Sequence, residues 1–143
     1  MYTYMFSAAA EEEIFFSFRF PYGRIPKSHV MVYFKWCPTT ADAGNVVWGY
    51  ERTVTVCGKQ IPLTVTNEFV SSANGLLVPV LSDLTGNPYL LGLMKPESAV
   101  IARFYRKAAA AADTYPADAA LLGIEIAFLL SNSRPAPSNL GLH

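Results

Sequence analysis

Residues 13–21, EIFFSFRFP, decide the fold. Ile14, Phe16, Phe18 and Phe20 share one face of an extended chain, and Glu13, Ser17 and Arg19 take the other. That period of two is the mark of a strand with one buried face. Pro21, Gly23 and Pro26 then break the run into a loop. The pattern recurs downstream. HVMVYFKWC, 29–37, sends Val30, Val32, Phe34 and Trp36 inward, with His29, Tyr33 and Lys35 on the opposite face. After the turn PTTADAG, residues 45–57 set Val46, Trp48 and Tyr50 against Val47, Gly49 and Glu51. IPLTVTNEFV (61–70) and LLVPVLSDL (76–84) follow as strands, the second with Pro79 as the sign of an edge or bulge. SAVIARFYR (98–106) sets Val100, Ala102 and Phe104 against Ile101, Arg103 and Tyr105. ALLGIEIAFLL (120–130) closes the series, with Leu122, Ile124, Ile126 and Phe128 expected inward and Glu125 outward.

Three other stretches need separate treatment. YTYMF, 2–6, puts Tyr2, Tyr4 and Phe6 on one face. YLLGLM, 89–94, is apolar and undecided between strand and other structure. KAAAAAD, 107–113, is helical by propensity alone, but it is short and joins two strong strands, so a loop is predicted. About eight short strands with turns between them predict an all-β chain, an antiparallel β-sandwich with two sheets of about four strands. A jelly roll is the commonest closed arrangement of that kind. The expected organisation is an N-terminal strand or arm over 1–12, a sandwich over 13–130 and a Pro-containing arm over 131–143.

The 143 residues suit one domain. Eleven Lys and Arg balance eleven Asp and Glu, and charged residues make up only 15% of the chain. A neutral chain with no basic block lacks the clustered cations that phosphate backbones require, so no nucleic-acid partner is expected. No run of 18 apolar residues and no cationic leader before an apolar stretch occurs, so no membrane partner is expected and the chain reads as soluble. If residues 29–37 and 45–57 form a hairpin through 38–44, Cys37 and Cys57 sit at opposite ends. The offset is then roughly 30 Å at ~3.3 Å per residue, beyond the reach of a disulfide. Two reduced thiols are predicted, as in a cytoplasm.

Catalytic residues are hard to assemble. His29 and His143 are the only imidazoles. His29 opens a strand, where a solvated or hydrogen-bonded role is the ordinary one, and His143 is the last residue. No Gly-x-Ser-x-Gly elbow is present, two cysteines twenty positions apart do not complete a tetrahedral metal set, and no cofactor loop precedes a helix. Glu11-Glu12-Glu13 reads as a solvated face or a charged strand edge. Asp113 and Asp118 flank Thr114-Tyr115-Pro116 and read as turn chemistry before an acid pair or a calcium loop. Arg103 and Arg106 point to opposite faces of one strand, and one of them is expected to pair with Asp113 or Asp118 across the connecting loop. Trp36, Trp48, Tyr50 and the phenylalanine stripe could stack sugars, but their alternation makes them core first. The expectation is no catalytic, metal or cofactor site.

Four elements in order carry a resemblance: HVMVYFKW (29–36), AGNVVW (43–48), IARFYR (101–106) and ADTYPADAALLGIEI (112–126). The chain resembles a family of small bacteriophage virion proteins, found alone and as modules of longer tail proteins, over about residues 13–130. The resemblance implies a structural protein of the capsid cement or decoration kind. Its partners would be the major capsid protein and itself, as a homodimer or homotrimer, on the outer capsid surface after assembly in the host cytoplasm. Tail-fibre or head-fibre modules are the alternative, and a carbohydrate-binding sandwich is a third. Both ends lie outside the matched stretch. Tyr2, Tyr4 and Phe6 have no obvious partner in the core motif and are expected to meet a neighbouring subunit. In the tail, Pro135 and Pro137 pre-extend the chain, Arg134 can meet a carboxylate, and Leu140 and Leu142 can fill shallow pockets.

Overall fold

The computed structural model describes residues 3–19, 30–83 and 98–128. They form eight strands and no helix: β1 (Met5–Phe6), β2 (Glu12–Arg19), β3 (Val30–Pro38), β4 (Asn45–Thr55), β5 (Val65–Ser72), β6 (Val80–Asp83), β7 (Ala99–Arg106) and β8 (Ala119–Phe128). None of the described segments is therefore a helix long and apolar enough to cross a membrane. Two four-stranded antiparallel sheets pack face to face, in the orders β1-β8-β3-β6 and β2-β7-β4-β5. The chain is an antiparallel β-sandwich.

The pairings nest. β4 pairs with β5, β3 with β6, β2 with β7 and β1 with β8. A single long antiparallel ribbon, bent at the β4–β5 turn and wound on itself, gives these four contacts. Pairing of β3 with β8 and of β4 with β7 joins successive windings.

Alternation places the core between the sheets. Val30, Val32, Phe34 and Trp36 from one sheet meet Trp48, Tyr50, Val100, Ala102 and Phe104 from the other. Ring centroids of Phe34 and Phe104 lie 3.9 Å apart, and those of Trp36 and Trp48 5.6 Å apart. The aromatic ladder is thus core, as its alternation predicts, and its rings are withdrawn from any sugar.

Three expectations change. The strands before and after residues 38–44 are not a hairpin, because β3 and β4 belong to different sheets. Each has one apolar face to bury, and Trp36 and Trp48 satisfy both by facing each other across the interior. Both cysteines are nevertheless free, Cys37 buried and Cys57 exposed, and burial pushes the Cys37 thiol pKa up. The phase of the last strand also slips. Lys35 stands opposite Gly123 while Trp36 stands opposite Leu121, so Leu122 is an extra residue, a β-bulge. Leu121, Ile124, Ile126 and Phe128 pack on the core in consequence, and Leu122 does not. Finally, Phe6 needs no neighbour. β1 pairs with β8, and Phe6 is 0% exposed in the chain's own core, its ring centroid 5.2 Å from that of Trp48. The segment 107–113 is a loop, closed by successive tight turns, with Ala110 N donating to Lys107 O and Asp113 N to Ala110 O, both at 2.9 Å.

Candidate functional site

Three stretches of the sequence, AGNVVW (43–48), IARFYR (101–106) and ADTYPADAALL (112–122), converge on one end of the sandwich. Arg106 ends β7 on the inward face, 0% exposed. Its guanidinium uses every donor it has. Nε and Nη2 grip Asp113 at 3.0 and 2.7 Å, Nη1 donates to Ala117 O at 2.7 Å and to Phe6 O at 3.4 Å, and Nη2 also donates to Tyr115 O at 2.6 Å. One side chain therefore ties β1, β7 and the loop before β8. Asp113 also accepts from Val47 N at 3.0 Å. Asn45 O accepts from Thr114 N and Tyr115 N at 2.8 and 2.9 Å, and Asn45 N donates to Thr114 Oγ1 at 2.9 Å. Tyr115 is buried, and its hydroxyl accepts from Thr39 N and Thr40 N at 2.9 and 3.0 Å. A Cβ on Gly44 would stand 2.7 Å from Tyr115 Cα, so only glycine allows this approach. The pairing of Arg106 with Asp113 is the one expected across the loop. Asp118 instead accepts from Ala8 N at 3.1 Å. The two aspartates hold backbone and arginine in place, and no acid pair forms.

The outer face of the second sheet has a different organisation. Arg103 meets three carboxylates: Glu13, Glu11 at 2.9 Å and Glu51 at 3.2 Å. Its Cζ lies 4.2 Å from the centroid of the Tyr105 ring. That ring covers Gly49, where a Cβ would fall 2.1 Å from Tyr105 Cζ. Burial and the Glu51 and Glu68 charges push the Tyr105 hydroxyl pKa up. Glu11 and Glu13 are therefore ion-pair partners and not a free solvated face, while Glu12 accepts from Ser7 N at 2.7 Å. Beside this network a shallow groove lined by Phe15, Thr53, Thr64, Ile101 and Arg103 encloses about 150 Å³. Small-molecule sites enclose about 300–1,000 Å³. Among the described residues no three His, Cys, Asp or Glu side chains gather as a metal set.

What stands out on the surface is an apolar edge. β5 and β6 are the end strands of their sheets on the same side of the sandwich. Between and beside them, Leu76, Leu77, Val78 and Leu81 are exposed, as are Ile61 and Leu63 near the β4–β5 turn, Leu63 at 91%. Leu77 has a φ of 54°, a left-handed conformation that costs a residue with a Cβ about 1–2 kcal/mol. Its N–H donates to Pro38 O at 3.0 Å, which fixes the bend. Under the edge, Trp36 Nε1 and Ser82 Oγ both donate to Ser71 Oγ, at 2.9 and 2.8 Å, and join the two sheets.

The expected interface residues fall out unevenly. Tyr4 is 41% exposed and its hydroxyl donates to Glu13 O at 3.2 Å. Phe6 is in the core. Tyr2, Arg134, Pro135, Pro137, Leu140 and Leu142 lie outside the described residues, as do His29 and His143. The sequence reading passed over the Leu76–Leu81 edge, although the short spacing of Gly75, Leu76, Leu77 and Pro79 was a signal of an apolar turn. It also passed over Arg52 and Asn67, whose phase on their strands matches Tyr50 and Phe69. No protein-family model, no curated protein and no solved structure matches this chain.

Proposed function

We propose that the chain is a non-enzymatic structural protein of a bacteriophage virion, a capsid cement or decoration subunit that binds the major capsid lattice and copies of itself. The observation that carries the reading is the apolar edge around Leu77. A backbone held in left-handed strain turns a leucine outward among other exposed leucines and valines, on a side fastened rigidly from beneath. Exposed apolar side chains gathered along one stretch of chain are a mark of a protein contact, and strained backbone is concentrated at functional sites. The convergence of AGNVVW, RFYR and DTYPADAALL on the Arg106 corner adds support. It gives these stretches a fold-specifying task, which suits a scaffold protein.

Leu77→Gly combined with Leu81→Ser tests the reading. Glycine relieves the strain at a positive φ, so the isolated subunit should stay at least as stable in denaturant. Binding to subunit-depleted capsids should weaken. Imaging of particles with and without the protein should place sandwich-sized density on the outer capsid. Density on the tail or on head fibres would favour a fibre module, and absence from the virion would overturn the proposal. Undiminished capsid binding by the double variant, with loss on truncation after Asn132, would move the contact from the edge to the C-terminal residues.

A further inference from the structure

Along the inward face of β4, past the residue opposite Arg106, the interior changes character. Tyr50 and Arg52 follow Trp48 on that face. Tyr50 is 0% and Arg52 4% exposed. Asn67 stands directly across from Tyr50 on β5. Tyr50 Oη, Arg52 Nη1 and Asn67 Nδ2 are all buried without a hydrogen-bond partner. The guanidinium touches the Tyr50 ring, Cζ to centroid 5.8 Å, but no carboxylate among the described residues bridges it. Arg52 is thus a buried side chain whose Nη1 stands beside two further donors, and none of these three atoms has an acceptor.

Burying an unpaired charge is among the largest penalties a fold can carry. An Asn67 side chain turned about its last bond would present one oxygen, enough for one donor and no remedy for the charge. A single group that is negative and has several acceptor oxygens answers all three. We propose that Tyr50, Arg52 and Asn67 form a binding site for one small oxyanion, a carboxylate or a phosphate, inside the sandwich. Arg52 supplies the charge and a planar fork that matches two oxygens, and the Tyr50 hydroxyl and Asn67 amide complete the set. The site stands whether or not the chain belongs to a virion.

The test is the melting temperature of the full chain titrated with inorganic phosphate and, separately, with acetate, with chloride keeping ionic strength constant. A site gives a saturable rise, about 3–6 °C once the anion exceeds its dissociation constant about tenfold. General salting effects instead grow without saturating. Arg52→Met should abolish the saturable part. A response to acetate identifies a carboxylate ligand, and a response confined to phosphate identifies a phosphate. If neither anion gives a saturable rise, or if Arg52→Met responds as the unmodified chain does, the site does not exist. Should Arg52→Met fail to fold, the Arg52 Nε–H resonance of the unmodified chain replaces it. It must shift saturably with one anion, and a resonance that does not move overturns the proposal.

Discussion

Two arginines enter the same interior and are treated in opposite ways. Arg106 reaches one end of the sandwich, and all its donors end on Asp113 and three carbonyls. Arg52 lies on the neighbouring strand, about 13 Å further along at ~3.3 Å per residue, with its Cζ 5.8 Å from the centroid of the Tyr50 ring and its Nη1 without an acceptor. Burial pulls the Arg52 pKa down and the Tyr50 pKa up to about 12, the Arg52 charge opposing the latter. The difference lies in the loops. The connection over 107–118 folds back on itself and delivers a carboxylate and carbonyls to Arg106, whereas among the described residues nothing performs that service for Arg52. A buried cation in this fold is a fastening where the chain supplies its counter-charge, and a binding feature where it does not.

The sharpest way to break the comparison is to make the Arg106 end resemble the other. Arg106→Met leaves Asp113 buried without its partner, and the loss should be about 3–5 kcal/mol in urea unfolding. Asp113→Ala should cost a similar amount, and the double variant less than the sum of the two.

Raising the pH probes the other end. A tyrosine whose folded pKa is raised keeps its proton longer in the folded state than in the unfolded one. Its stabilising effect is whole below pH 10, the unfolded value, and is lost as pH climbs through about 12. Stability should therefore fall by about 2–3 kcal/mol across that window. Tyr50→Phe should remove that part of the decline, measured by denaturant titration at each pH.

Gly44→Ala drives a methyl group into the Tyr115 backbone, which cannot yield as a side chain would. A loss of about 1–3 kcal/mol is expected, read as a shift in urea midpoint. Arg52→Met, by contrast, should leave stability unchanged or slightly raised in anion-free buffer. A loss there as large as that of Arg106→Met would erase the distinction between the two ends.

The sequence makes much of this legible. Alternation in 14–20, 30–36 and 98–106 yields the strands and the side that is buried, because a half-buried strand must alternate. The Arg106–Asp113 pair was within reach for the same reason, since a strand-end arginine facing inward needs a counter-charge from the next loop. Alternation also puts Arg52 in phase with Trp48 and Tyr50, yet a charged residue near a strand end reads as solvated until the opposing sheet is known. Leu122 was misplaced because a bulge inserts one residue and reverses the phase without altering composition. Phe6 was misjudged because a two-residue strand carries no period, and its partner β8 is nearly the whole chain away. The apolar edge stayed hidden because strand order, which makes β5 and β6 neighbours at a corner, is a property of the winding and not of either segment.

That winding also sets a timetable. Arg52 meets Val65 across a single turn, while Met5 meets Ala120 near the far end of the chain. Closing the short loop loses little chain entropy, and each outer pairing becomes local only after the one inside it has formed. Loop entropy alone predicts closure from β4–β5 outward, with β1 docking last. Substitutions in the β4–β5 turn region should slow refolding, whereas those at the β1–β8 contact should leave the refolding rate alone and hasten unfolding. A late-docking β1 leaves the Phe6 socket open for the final stage of folding. At high subunit concentration, the first strand to reach the socket can come from another copy, an exchanged dimer formed from the same contacts as the monomer.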